Sequence, residues 1–78
     1  MRPDSDLGGI IKTLRHRQGL TQERFAARLD VTFATVNRWE NGRAVPSRLA
    51  RKQILSQIKS LGPKGEDLLR KFNTACPL

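Results

Sequence analysis

Seventy-eight residues are enough for one small domain, near the size at which a single hydrophobic core just suffices, and too few for a second, ligand-sensing domain beside it. Fifteen Lys and Arg stand against seven Asp and Glu, a formal net charge of +8; this favours a polyanionic partner, nucleic acid or an anionic membrane face, without choosing between them. One cysteine, Cys76, cannot form an intrachain disulfide, and the only histidine, His16, has no partner at a metal-site or nucleophile-and-base spacing, so neither an enzyme nor a metal or other cofactor is expected.

The opening "MRPDSDLGGIIK" lacks the long apolar core of a signal peptide, and no apolar run reaches the roughly 18 residues of a membrane span. A soluble cytoplasmic protein with no membrane partner is expected. Residues 1–6 are expected to form a flexible lead, residues 7–73 the domain, and residues 74–78, with Cys76, a flexible tail.

Leu7, Ile10, Ile11 and Leu14 recur at helical spacing behind Asp6, which is placed to cap, so the first helix is predicted over residues 7–17. Gly8 and Gly9 should let its first turn fray. Gly19 suits the left-handed residue after its last turn, and Thr21 caps a second helix, "TQERFAARL", buried through Phe25, Ala26 and Leu29. After the very short joint Asp30–Val31, Thr32 opens a third helix that ends at "ENG", with Gly42 as its left-handed cap. Two helices joined this tightly through an apolar residue must cross steeply.

Ser47 caps a longer fourth helix in which Ala50, Ile54, Leu55, Ile58 and Leu61 face inward, stopped at "LGP". Leu68, Leu69 and Phe72 support a last short helix around residues 65–73; they serve either the core or a dimer contact. No segment has the pattern of a strand. The predicted fold class is all-α, a compact domain of four to five helices.

The third helix carries unusual polar equipment. On a wheel of about 100° per residue, Val36 and Trp39 point one way while Ala34, Asn37, Arg38 and Asn41 point the other. A solvated helix face would look similar in isolation. A helix entering the DNA major groove, however, needs this narrow profile, with an Arg able to reach guanine O6 and N7 or an amide able to pair with adenine. It follows a capped helix and a tight joint, the arrangement of a helix-turn-helix over about residues 21–41. The pair also offers helix N-termini to phosphates at Thr21–Gln22 and Thr32–Phe33.

The stretch "IKTLRHRQGLTQERFAARLDVTFATVNRWENGRAVPS", residues 11–47, resembles the lambda-repressor-like Cro/CI (XRE) family of bacterial and phage DNA-binding proteins. The likeness rests on "LR" followed by "GLTQE", an alanine in the second helix, a Thr-capped third helix, "WENG" and a following Pro-Ser. It implies a lambda-repressor-like helix-turn-helix domain that binds double-stranded DNA sequence-specifically as a small transcriptional regulator, a homodimer on an inverted-repeat operator. Carried over residue by residue, it implies base reading by Phe33, Ala34, Asn37 and Arg38. Thr21, Gln22, Thr32, Asn41 and Arg43 would lie at phosphates, and Arg15 would pair with Glu40.

Three positions depart from the family pattern. Asp30 replaces the usual Gly of the joint and should still adopt the left-handed conformation. Arg24 removes the acid of a full capping box, leaving Glu23 as charge complement only. Phe33 opens the reading helix and either meets a thymine methyl or folds back on the core. Five Arg or Lys against one acid between residues 38 and 52 favour nucleic acid. The competing readings are the antitoxin of a toxin–antitoxin pair, with a protein partner on the basic surface, and the DNA-targeting module of a larger assembly.

Overall fold

The computed structural model describes residues 3–75, with side chains from Leu7 onward. Among the described residues there are five α-helices, one 3-10 turn and no strand: α1 Pro3–Arg17, α2 Gln22–Arg28, α3 Phe33–Glu40, α4 Arg48–Ser60, the 3-10 turn Gly62–Gly65, and α5 Glu66–Ala75. The expected all-α class is what the chain adopts. None of these helices is long and apolar enough to cross a membrane. Cys76 and the end of the tail lie outside the described residues.

The first helix corrects the expectation that it begins after an Asp6 cap. α1 starts at Pro3, so Asp6 sits inside the helix; a proline at the first helical position has its φ preset and loses no needed N–H. The helix runs on through both glycines. Gly8 is buried beneath the end of α3, where an added Cβ would stand 2.6 Å from the Trp39 carbonyl oxygen. Its missing side chain lets the two helices approach. Gly9 faces open space.

Hydroxyl caps start the middle helices. The side chains of Thr21, Thr32 and Ser47 accept from the backbone N–H groups of Arg24, Thr35 and Ala50, each three residues on, which satisfies one orphan donor at each helix start. The turns close with left-handed residues at Gly19 (φ 68°), Asp30 (φ 55°) and Gly42 (φ 71°). Asp30 is the only non-glycine with positive φ among the described residues, and the joint survives the replacement of Gly there.

One core joins the elements. Leu7, Ile10, Ile11 and Leu14 of α1 meet Phe25, Ala26 and Leu29, Val36 and Trp39, Ala50, Ile54 and Ile58, and Leu68 and Phe72. Full burial of each Leu, Ile or Phe side chain contributes about 1.5–3 kcal/mol against the chain entropy that folding removes. Leu68 and Phe72 are thus core residues, while Leu55, Leu61 and Leu69 are partly buried at its margin. α5 begins at Glu66, preceded by the 3-10 turn, and packs on α1 and α4. Its start is tied to the end of α1, where Arg17 Nη1 and Nη2 donate to the two carboxylate oxygens of Asp67 at 2.6 and 2.9 Å.

Candidate nucleic-acid interface

α2, the turn and α3 form the helix-turn-helix. Val31 fixes the joint: its side chain packs against the core and its N–H donates to the Ala26 carbonyl at 3.0 Å. Val36 and Trp39 anchor the inner face of α3. That anchoring leaves Ala34, Arg38 and Asn41 exposed, with Asn37 half-buried beside them. Phe33 is 49% exposed and is not among the residues packed on the core, so of its two alternatives the inward one is not adopted.

The phosphate candidates differ in what already engages them. The Thr21 and Thr32 hydroxyl oxygens accept cap hydrogen bonds, and Thr32 also shares one with the Thr35 hydroxyl at 2.8 Å. Arg43 is exposed in the connection after Gly42, where its N–H closes the end of α3 onto the Arg38 carbonyl at 2.9 Å. Asn41 is turned back onto its own helix, donating from Nδ2 to the carbonyl oxygen and to Oδ1 of Asn37 at 2.9 and 3.1 Å.

Arg15 and Glu40 lie together beneath this face. Arg15 Nε donates to Glu40 Oε2 at 2.8 Å and Nη2 donates to Oε1 at 3.2 Å, a two-pronged contact with the side chains only 12% and 5% exposed. A third Arg15 donor, Nη1, holds the Leu20 carbonyl at 3.0 Å. One guanidinium therefore ties α1, the loop before α2 and the end of α3, and a planar fork supplies such geometry where an ammonium could not. It also neutralises the only acid of α3. The other ion pair among the described residues is Arg17–Asp67, so neither pair engages Arg38, Arg43, Arg48 or Lys52.

Sequence reasoning missed one link. Gln22 does not stand alone at the head of α2: its Nε2 donates to Glu40 Oε1 at 3.0 Å, and its Oε1 accepts from Asn37 Nδ2 at 3.4 Å. No periodicity relates positions on two different helices, so the pattern could not reveal it. Among the described residues no three or more His, Cys, Asp or Glu side chains are placed to share a metal ion.

A buried scaffold presenting a short polar helix above uncompensated arginines is suited to a polyanion with readable edges. Comparison with known proteins agrees with that chemistry. No curated protein and no solved structure matches the chain. A helix-turn-helix family model matches residues 11–52, more than half the chain and the whole of α2 and α3. The protein belongs to the Cro/CI-like (XRE) helix-turn-helix family of DNA-binding proteins and has its all-α, lambda-repressor-like fold.

Proposed function

We propose that the protein binds double-stranded DNA sequence-specifically, with α3 in the major groove, and acts in the cytoplasm as a small transcriptional regulator. The observation that carries this reading is the division of α3 into a buried apolar side, Val36 and Trp39, and an outward side of Ala34, Asn37, Arg38 and Asn41. The small Ala34 permits close approach, Arg38 suits guanine O6 and N7, and Asn37 suits adenine. Phe33, half-exposed at the head of the helix, suits a thymine methyl. Thr21, Thr32 and Arg43 flank this edge as phosphate contacts, fixing register without reading sequence, while the amides of Gln22 and Asn41, expected at phosphates too, are engaged with Glu40 and Asn37.

One eight-residue helix reads only a few base pairs, so a homodimer on an inverted repeat is the natural assembly. Val45 and Leu49, 54% and 69% exposed around the start of α4, leave apolar surface that suits contact with a second copy. The basic run from Arg38 to Lys52 favours DNA over the protein partner of an antitoxin.

Selection of bound sequences from a random duplex pool, at one stated salt concentration, tests the reading. A palindromic consensus is the expected result. Absence of any enriched sequence, together with an affinity that does not fall as salt is raised, would remove it, because each phosphate neutralised contributes about −0.9 to the slope of log K against log salt.

A further inference from the structure

We propose that Gln22 is a positioning residue for base recognition: it relays the charge of Glu40 to Asn37 and sets which way round the Asn37 amide meets a base. The inference rests on the major-groove reading above and deepens it. Five side chains form one chain of hydrogen bonds, and every donor in it points toward the same carboxylate. Arg15 donates to Glu40 from one side. From the other, Gln22 Nε2 donates to Glu40 Oε1 at 3.0 Å, Asn37 Nδ2 donates to Gln22 Oε1 at 3.4 Å, and Asn41 Nδ2 donates to Asn37 Oδ1 at 3.1 Å.

The direction of that chain follows from chemistry. A carboxylate only accepts, so Gln22 must turn its NH2 group toward Glu40 and its carbonyl oxygen outward. That oxygen also only accepts, so Asn37 must turn its NH2 toward Gln22, which leaves its own oxygen on the side of Asn41. One carboxylate, itself held by Arg15, thereby removes the two-fold ambiguity of two successive amides. A side-chain amide has two N–H donors and two oxygen lone pairs; the network takes one of each at Asn37. The remaining N–H and lone pair are what a bidentate contact with adenine N7 and N6 requires. Because their order along the base edge is set, Asn37 meets one order of acceptor and donor and rejects the reverse. An unrestrained amide would rotate and accept either.

The test uses Gln22→Met, which keeps length and removes the amide, and Glu40→Gln, which keeps shape and removes the compulsion to accept. Two readouts are needed. In the DNA-free protein, nuclear magnetic resonance of the Asn37 side-chain NH2 group should show shifted signals and faster proton exchange in both variants. On a panel of every single-base change of the selected site, both variants should lose about tenfold discrimination at the base pair assigned to Asn37, with the rest of the profile kept. That base pair is identified by Asn37→Ala, on whose background Gln22→Met should change the profile no further.

If Glu40→Gln proves too unstable to measure, Gln22→Met carries the test, since Gln22 is only half-buried. A Gln22→Met protein that binds every duplex more weakly by one common factor, with its profile intact, overturns the positioning role and leaves the DNA reading standing. Unchanged Asn37 NH2 signals overturn it as well. A wild type that shows no preference among duplexes overturns both.

Discussion

A Cβ placed on Gly8 of α1 would lie 2.6 Å from the carbonyl oxygen of Trp39 and 3.1 Å from that of Glu40, so the first helix rests directly on the backbone that ends α3. The neighbouring glycine meets nothing within 4 Å. Adjacent positions of one helix therefore have opposite requirements. Gly8→Ala is expected to destabilise by about 1–3 kcal/mol, because backbone carbonyls cannot move aside as a flexible side chain can. Gly9→Ala should stabilise by about 0.5–1 kcal/mol through helix propensity alone. Denaturant melts of the two variants check this; equal effects of the same sign would mean α1 does not seat on α3 as described.

The Arg15–Glu40 contact predicts strong coupling. Arg15→Ala leaves a carboxylate 5% exposed without its main partner and orphans the Leu20 carbonyl, at a cost of about 3 kcal/mol, the lower end of the range for breaking a buried pair. Arg15→Lys should recover only part of this, since an ammonium cannot supply the fork and reach Leu20 together. In a double-mutant cycle with Glu40→Ala the two losses should be clearly less than additive. Simple additivity would show that the pair stabilises nothing.

How much of this could be read from the sequence depended on the range of each interaction. The caps at Thr21, Thr32 and Ser47 were legible because each hydroxyl serves a backbone N–H three residues away, and the left-handed turn at Asp30 followed from side-chain chemistry at one position. The apolar spacing of α1 located its inner face yet not its beginning, since Pro3 to Asp6 carry no apolar signal. Gly8 read as a helix weakness; its purpose depends on Trp39, far along the chain. Gln22 read as a phosphate contact at the head of a helix, while its partners Glu40 and Asn37 are 18 and 15 positions away on α3. Base-contacting candidates were legible only as a face of α3; the hydrogen bonds that restrain them were not.

The clasp between α1 and α5 makes stability depend on acid. Hydrogen bonds from Arg17, with smaller contributions from the nearby guanidinium charge and from backbone N–H groups, lower the pKa of Asp67 to about 2. Because the folded value lies below the unfolded one, the contribution is fully present above about pH 4 and is lost as pH falls toward 2. Thermal melts of wild type and Asp67→Asn at stepped pH should differ most above pH 4 and converge toward pH 2. The pair is solvent-exposed, so the difference should also shrink in high salt. A gap that persists unchanged to pH 2 would place its origin elsewhere than in the Asp67 charge.

Arg38 and Arg43 should both matter for affinity, in different ways. Arg38 projects from the exposed side of α3, so Arg38→Ala should cost about 1–3 kcal/mol on the preferred site and relax preference at one base pair per half-site. Arg43 stands past the end of the helix, in the connection that its own N–H pins to the Arg38 carbonyl; in the proposed docking a guanidinium there would meet the backbone of the duplex rather than a base edge. Arg43→Ala should therefore weaken preferred and scrambled duplexes by similar factors and make the salt slope shallower by about one phosphate's worth, roughly 0.9. A binding panel over every single-base variant, run for wild type and both variants at two salt concentrations, separates the two roles. If Arg43→Ala reshapes the preference while Arg38→Ala leaves it intact, the connection enters the groove instead of α3, and the docking proposed for this domain must be reversed.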